Sequence, residues 1–283
     1  QLGDGTTDHR TTPTEVSSFP TGLLPVSISA GASHTCAILD DGTIWCWGNN
    51  ALGRLGDGTV DDRLTPTITQ SLGPGRTAIE VAGGTGHTCA ILDDNSVKCW
   101  GFNYWGQIGN GGNTDLYTPT STGMILATQI TANWYTSCGL IPGGYVACWG
   151  KNVHGQLGDG SNTNQNYPTL TGSFGTGLSA TSISRGGSSS SHTCAIINDG
   201  SIQCWGSYNQ FGVIGDGTTT DRNIPTQVSV PANSFAVEIG TGYMHTCALF
   251  ADDSIMCWGD NEYGQLGDGT STDSLVPVPT LPV

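Results

Sequence analysis

The chain has 283 residues and a formal charge of −15, with 43 glycines, 13 prolines and only 11 % charged residues. Lys98 and Lys151 are its only lysines and no Lys/Arg cluster exists, so the positive charge that phosphate contacts need is missing and nucleic-acid binding is excluded. Anionic membrane surfaces are disfavoured for the same reason, and no apolar run is long enough for a transmembrane helix, so no membrane insertion is expected. Glycine at this level can signal disorder, but eight tryptophans and regular apolar clusters mark a packed chain.

The chain opens on Gln1-Leu2-Gly3-Asp4-Gly5, inside a repeated phrase, as a processed terminus or a piece of a longer protein would. Residues 1–16 read as a partial outer-strand segment. Pro25 to Ala30 (PVSISA) is the first β-rich run, and a glycine joint leads from it into HTCAILDDGTIWCWG at residues 34–48. Folding that phrase about its middle sets Cys36 against Cys46, Ala37 against Trp45, Ile38 against Ile44 and Leu39 against Thr43. Asp40-Asp41-Gly42 is left as the loop. A three-residue hairpin loop needs a left-handed residue last, and the five copies offer Gly42, Asn95, Gly144, Gly200 and Asp253, all residue types that tolerate positive φ. A Thr-Pro segment, Thr65 to Gln70, follows as an outer strand. The same order then recurs: Ala78 to Ala82, Thr128 to Ala132 and Phe235 to Ile239 each precede a further hairpin.

Every cysteine belongs to such a hairpin: Cys36 with Cys46, Cys89 with Cys99, Cys138 with Cys148, Cys194 with Cys204, and Cys247 with Cys257. In the pairing above, each couple falls on a non-hydrogen-bonded site, where the strands approach to about 4.5 Å between Cα atoms, at the short end of disulfide reach. Zinc sites use ligand spacings of about two to four residues with ligands in fours, and here no second pair lies nearby in sequence. Disulfides are therefore expected, with an oxidising, extracellular or cell-surface location. The Asn-x-Ser/Thr acceptor sequence of N-glycosylation does not occur.

Four short strands in about fifty residues, repeated along the whole chain, predict an all-β fold, a β-propeller of about five four-stranded blades. A single domain over 1–283 is expected, with a partial outer strand at 1–24 and units at 25–77, 78–127, 128–180, 181–234 and 235–283.

Gly31 through Thr59, GASHTCAILDDGTIWCWGNNALGRLGDGT, resembles the repeat of the regulator of chromosome condensation family. The family pattern runs from Gly-x-x-His-[Ser/Thr] through Asp-Gly and Trp-Gly-x-Asn to Gly-Gln-Leu-Gly, and the likeness covers essentially the entire chain. The resemblance implies an RCC1-like propeller. It leaves function open, because this fold serves exchange factors, inhibitors and adhesive scaffolds. The founding member acts on a nuclear GTPase and chromatin, usually with seven blades. The cysteine pairs, the acidity and the five hairpins here point away from that role and toward a disulfide-containing extracellular type. Secreted propellers that inhibit β-lactamases resemble it in fold and compartment.

Six copies of the Leu/Ile-Gly-Asp/Asn-Gly phrase stand beside five hairpins, so one terminal segment is surplus. An unpaired β-edge recruits a partner chain. The expectation is a non-catalytic structural or adhesive propeller that completes a blade in a neighbouring molecule and builds head-to-tail polymers. The alternative is a secreted protein-binding module or inhibitor acting as a monomer. The partner is accordingly the chain itself or another extracellular protein.

Catalytic, metal and cofactor sites are not expected. His34, His87, His192 and His245 share one repeat position and read as hydrogen-bonded core residues. Asp57, Asp61, Asp62, Asp216, Asp221, Asp268 and Asp273 offer hard oxygens for calcium, but the spacing is not that of an EF-hand and Asp-Gly is ordinary turn chemistry. Trp47, Trp100, Trp149, Trp205 and Trp258 read as packing between blades rather than sugar platforms. Tyr104, Trp105, Trp134 and Tyr135 break the repeat, and are the candidate contact aromatics.

Overall fold

Along His34–Leu39 the trailing side chains (His34, Cys36, Ile38) alternate with the leading ones (Thr35, Ala37, Leu39), so both faces of the strand are apolar and each needs a neighbouring sheet. In the computed structural model, which describes residues 1–17, 19–186 and 192–281, repetition of this pattern gives five four-stranded sheets among the described residues. The first holds β1 (Pro25–Ala30), β2 (His34–Leu39), β3 (Ile44–Gly48) and β4 (Arg63–Ile68). The second holds β5 (Ala78–Gly83), β6 (His87–Leu92), β7 (Ser96–Gly101) and β8 (Leu116–Leu126). The third holds β9 (Gln129–Asn133), β10 (Thr136–Ile141), β11 (Tyr145–Gly150) and β12 (Gln165–Leu170). The fourth holds β13 (Ala180–Arg185), β14 (His192–Ile197), β15 (Ile202–Gly206) and β16 (Arg222–Gln227). The fifth holds β17 (Ala236–Thr241), β18 (His245–Phe250), β19 (Ile255–Gly259) and β20 (Ser274–Pro279). Strand order across every sheet follows chain order, as blades of an all-β propeller require.

The chain divides into two compact units, residues 1–137 with 165–168 and residues 138–164 with 169–283. In the first unit, Cys36, Ile38, Ile44, Leu55 and Leu72 of the first blade meet Ala78, Val81, Ala90, Leu92 and Trp100 of the second. In the second unit, Cys138, Leu140 and Val146 meet Ala180, Ile183, Ile197 and Trp205 of the fourth blade. There too Ile196, Ile202 and Val213 meet Ala236, Ile239, Phe250 and Trp258 of the fifth. The fourth blade thus lends one face to the core before it and the other to the core after it.

The hairpin register expected from the cysteine spacing holds. Cys36 pairs with Cys46, Ala37 with Trp45 and Ile38 with Ile44, and Gly42 N–H donates to Leu39 C=O across the loop. The third loop residues Gly42, Asn95, Gly144, Gly200 and Asp253 all have positive φ. All ten cysteines form disulfides in the expected pairs. Cys36 is bonded to Cys46, Cys89 to Cys99, Cys138 to Cys148, Cys194 to Cys204 and Cys247 to Cys257, each with a Cα–Cα distance of 4.1 Å. The inner strand of the fourth blade, Ala180–Arg185, escaped sequence reading because its spelling, ATSISR, is mostly polar and small.

The surplus N-terminal segment differs from expectation in form. No strand precedes Pro25 among the described residues. Residues 1–17 lie along the first blade instead, where Gly5 N–H donates to Leu64 C=O and the Trp47 indole donates to Gln1 C=O at 2.8 Å. The physical reason is that a strand needs a ladder partner, and residues 10–16 have none.

Replacing Cys89 and Cys99 with alanine is expected to lower the free energy of unfolding by about 2–3 kcal/mol, through lost loop-closure restraint. Urea unfolding with and without the bridge measures it, and an unchanged midpoint would contradict the stapling role.

Candidate functional site

Beyond each core tryptophan the chain makes a tight excursion built on one asparagine. Asn50, Asn103, Asn152, Asn209 and Asn261 are wholly buried. Their side-chain oxygens accept the backbone N–H of Leu55, Ile108, Leu157, Ile214 and Leu266 at 2.9–3.0 Å. Their own backbone N–H groups donate to Asp62, Asp115, Asn164, Asp221 and Asp273 at 2.7–3.0 Å. Only an amide supplies an acceptor and two donors from one small group, which is why the position does not vary.

The acidic turns serve the same frame. Asp57 accepts from Thr59 N–H at 2.9 Å, from Arg63 Nε at 2.7 Å and from Asn50 Nδ2 at 3.1 Å. Asp216 repeats this with Thr218 and Arg222. Burial pushes the Asp57 carboxyl up, but the hydrogen bonds from Thr59 and Arg63 together outweigh it and hold the group below the ordinary carboxylate range. The Arg10 and Thr6 hydrogen bonds bring Asp4 down to about 2. The carboxylates of Asp57, Asp62, Asp216, Asp221, Asp268 and Asp273, weighed as calcium ligands, are engaged by protein donors. Among the described residues no three His, Cys, Asp or Glu side chains converge.

This frame leaves the two residues after each asparagine facing outward: Ala51-Leu52, Tyr104-Trp105, Val153-His154, Gln210-Phe211 and Glu262-Tyr263 are all exposed or half-buried. Identity varies here while the scaffold stays fixed. In the first unit the second blade places Tyr104 against Trp105 edge-on, with ring centroids 4.9 Å apart. Trp134 stacks on Tyr135 at 4.7 Å in the turn between β9 and β10. Trp105 and Tyr135 lie 6.4 Å apart, and Phe102 bridges the two pairs, 6.4 Å from Tyr104 and 5.2 Å from Tyr135. All four residues singled out in the sequence thus come together, and Phe102 is the member that sequence reading missed. Its signal was an aromatic ring where other repeats carry the polar Asn49 and Lys151.

The histidines belong to the core. His34 Nε2 meets Thr88 Oγ1 at 2.8 Å, His87 meets Ser137 Oγ at 2.9 Å and His192 meets Thr246 Oγ1 at 2.8 Å. Each hydroxyl in turn donates to a turn carbonyl: Thr88 to Arg54, Ser137 to Gln107 and Thr246 to Val213. A hydroxyl that spends its proton on a carbonyl must accept from the ring, which assigns the Nε2–H tautomer. Desolvation by burial, with a smaller push from Arg54 or Arg185, brings His34 and His192 down to about 3, so both are neutral at physiological pH. The same turn carbonyls receive the tryptophans, Trp100 Nε1 donating to Arg54 C=O and Trp258 Nε1 to Val213 C=O. Gly56 lets this turn lie flat on the indole, since a Cβ there would fall 2.6 Å from Trp100 Nε1. Trp100, Trp205 and Trp258 sit in cores shared with the preceding blade, and all five repeat tryptophans are buried.

Thr88→Val is expected to cost about 1–3 kcal/mol, because a buried ring N–H loses its acceptor and a carbonyl loses a donor. Thr35→Val, whose hydroxyl meets only Gln1 C=O at 3.3 Å, is expected to cost distinctly less. Denaturant unfolding of the two variants compares them, and equal losses would contradict the relay.

The model of the regulator of chromosome condensation (RCC1) repeat matches residues 1–38, 41–91, 144–196, 199–249 and 252–282, and a second model of the same repeat matches 26–54, 78–107 and 236–265. The chain is similar to the ultraviolet-B receptor UVR8 of Arabidopsis thaliana, 31 % identical over 98 % of this chain and 62 % of the receptor. It is also similar to human WBSCR16, with a TM-score of 0.81 and 21 % identity over 94 % of this chain and 70 % of that one. Yeast RCC1 (Prp20), solved bound to Kap60, gives a TM-score of 0.78 and 21 % identity over 92 % of this chain and 64 % of that one. The chain spans less than two thirds of the curated relatives it matches.

Proposed function

Because the chain belongs to the family built from regulator of chromosome condensation repeats, a fold of binding and regulatory proteins, we propose that it is a non-catalytic, extracellular protein-binding propeller that assembles head to tail with copies of itself. In this reading residues 1–283 form one structural or adhesive domain, with the unit boundaries given above. The observation that carries it is the first blade's inner strand. Ile28 is 68 % exposed, whereas its counterparts Val81, Ile183 and Ile239 are 6 %, 2 % and 8 % exposed. An aliphatic face exposed to water supports a protein-binding role. Five disulfides favour an oxidising compartment, and the capture of one family member in complex with another protein supports a binding role.

A second reading is favoured by the ring cluster. A monomeric secreted binding module or inhibitor would use Tyr104, Trp105, Trp134 and Tyr135 as contact residues, since rigid aromatics grouped on a surface are the usual anchors of protein contacts.

Electron microscopy and light scattering under non-reducing conditions test the first reading. Concentration-dependent polymers are expected, and deleting residues 1–16 is expected to shorten them. A monodisperse monomer at every concentration would contradict self-assembly and leave the one-to-one module.

A further inference from the structure

The loop after each repeat tryptophan keeps one length in four blades and is longer in the fourth. Cys46 stands four residues before Asn50, as Cys99 does before Asn103, Cys148 before Asn152 and Cys257 before Asn261, but Cys204 stands five before Asn209. The extra residue falls in Ser207-Tyr208, where the first blade has Asn49 alone. Tyr208 accommodates it with a left-handed backbone, φ 64°. Among the described residues the other non-glycine positions with positive φ are Asn95, Asn233 and Asp253, types that tolerate it. A tyrosine stays there only when its surroundings hold it.

The longer loop changes what the frame uses. In the first blade Asn49 Nδ2 donates to both oxygens of Asp62, at 3.1 and 3.4 Å. In the fourth, Asp221 accepts from Asn209 N–H at 3.0 Å and from no other donor among the described residues. The Ser207 hydroxyl is buried and has no hydrogen-bond partner there either. The loop thus carries a hydroxyl and a carboxylate oxygen that the protein itself does not use.

Both residues line a cavity of about 550 Å³ between the third and fourth blades, a size within the range of small-molecule sites. Tyr208, Gln210 and Thr219 complete the fourth blade's wall, and His154, in the loop after β11, forms the opposite one. The His154 and Tyr208 rings meet edge to face, with centroids 6.4 Å apart. No aliphatic side chain lines the cavity, and Asp221 is its one carboxylate.

These groups select a ligand by its hydrogen-bonding pattern. An apolar molecule would strand the hydroxyls, the amide and the carboxylate. An anion is repelled by Asp221 and by a chain of charge −15. A metal ion is not served, because no three His, Cys, Asp or Glu side chains converge among the described residues. An ammonium group only donates, and would leave the Gln210 amide N–H groups without acceptors. A ligand with hydroxyls, which both donate and accept, and with a C–H face for the rings meets every requirement.

We propose that this cleft binds a neutral saccharide, a small-molecule site beyond the protein contacts considered above. The Tyr208 ring, with His154 at its edge, takes the C–H face of one sugar ring. The second oxygen of Asp221 accepts from a sugar hydroxyl in a charge-assisted bond, and the Gln210 amide and Thr219 hydroxyl meet its neighbours. The inserted residue and the left-handed tyrosine are what set this loop apart from the other four.

Saturation-transfer NMR and calorimetry with maltose, cellobiose, lactose and diacetylchitobiose test this on the whole chain, with spermidine as a cationic probe in parallel. At least one disaccharide should bind. Tyr208→Asn and Asp221→Asn should each weaken that binding about tenfold, while Tyr263→Asn, at a tyrosine outside the cleft, should leave it unchanged. Asparagine tolerates the left-handed backbone at 208. It also fits at 221, because Asn164 fills that place in the third blade and accepts from Asn152 N–H at 2.8 Å. Thermal unfolding of both variants near the wild-type midpoint checks that the frame is intact. Absence of binding by all four disaccharides would overturn the proposal, and binding of spermidine alone would make the cleft a cation site instead. A sugar held equally well by both cleft variants would place it elsewhere on the molecule and overturn the site.

Discussion

Among the described residues, three of the five blades are joined to the next by a buried imidazole. The ring N–H of His34, His87 or His192 donates to a hydroxyl on the following blade, which passes its own proton to a turn carbonyl of the earlier blade. The relay binds strand to loop and blade to blade in one step, and satisfies groups that would each be costly unpaired in so dry a setting. Burial holds the His34 and His192 rings neutral. An unfolded imidazole protonates near pH 6.5, whereas His34 and His192 stay neutral down to about 3. Between those values the unfolded chain binds more protons, so these histidines make stability fall as pH falls through that window.

The disulfides and the relay divide the work. Each disulfide closes a hairpin within a sheet, and that of the first blade lies on the trailing face that the second blade covers. The hairpin gives the blade a fixed shape, and the relay with its tryptophan gives it a place. Asparagines at the loop frame then hold two residues outward per blade, independent of what those residues are. A repeat protein can in this way vary its surface without disturbing its core.

Much of this was legible in the sequence for physical reasons. Cysteines on opposite arms of a short phrase allow one register, and the five loop residues that tolerate positive φ agree with it. The inner strands Pro25–Ala30 and Ala78–Gly83 stood out through alternating aliphatics, whereas Ala180–Arg185 did not. The histidines were readable as core because they recur, but not their partners: nothing local says that His34 meets Thr88, a contact 54 residues away. The aromatic cluster was legible as a break in the repeat, and Phe102 was hidden because it sits beside the invariant asparagine rather than in the variable pair. The N-terminal segment was recognised as an outer strand by its wording, but strand formation depends on a partner edge that no local sequence supplies.

Ring-nitrogen NMR of the folded protein, recorded from pH 7.5 down to pH 4.5, tests the relay most directly. His34 and His192 should remain neutral with the proton on Nε2 throughout, their shifts unmoved across the range. Titration of His34 or His192 near the ordinary value of about 6.5, or a proton on Nδ1, would mean that the blades are held together by something else.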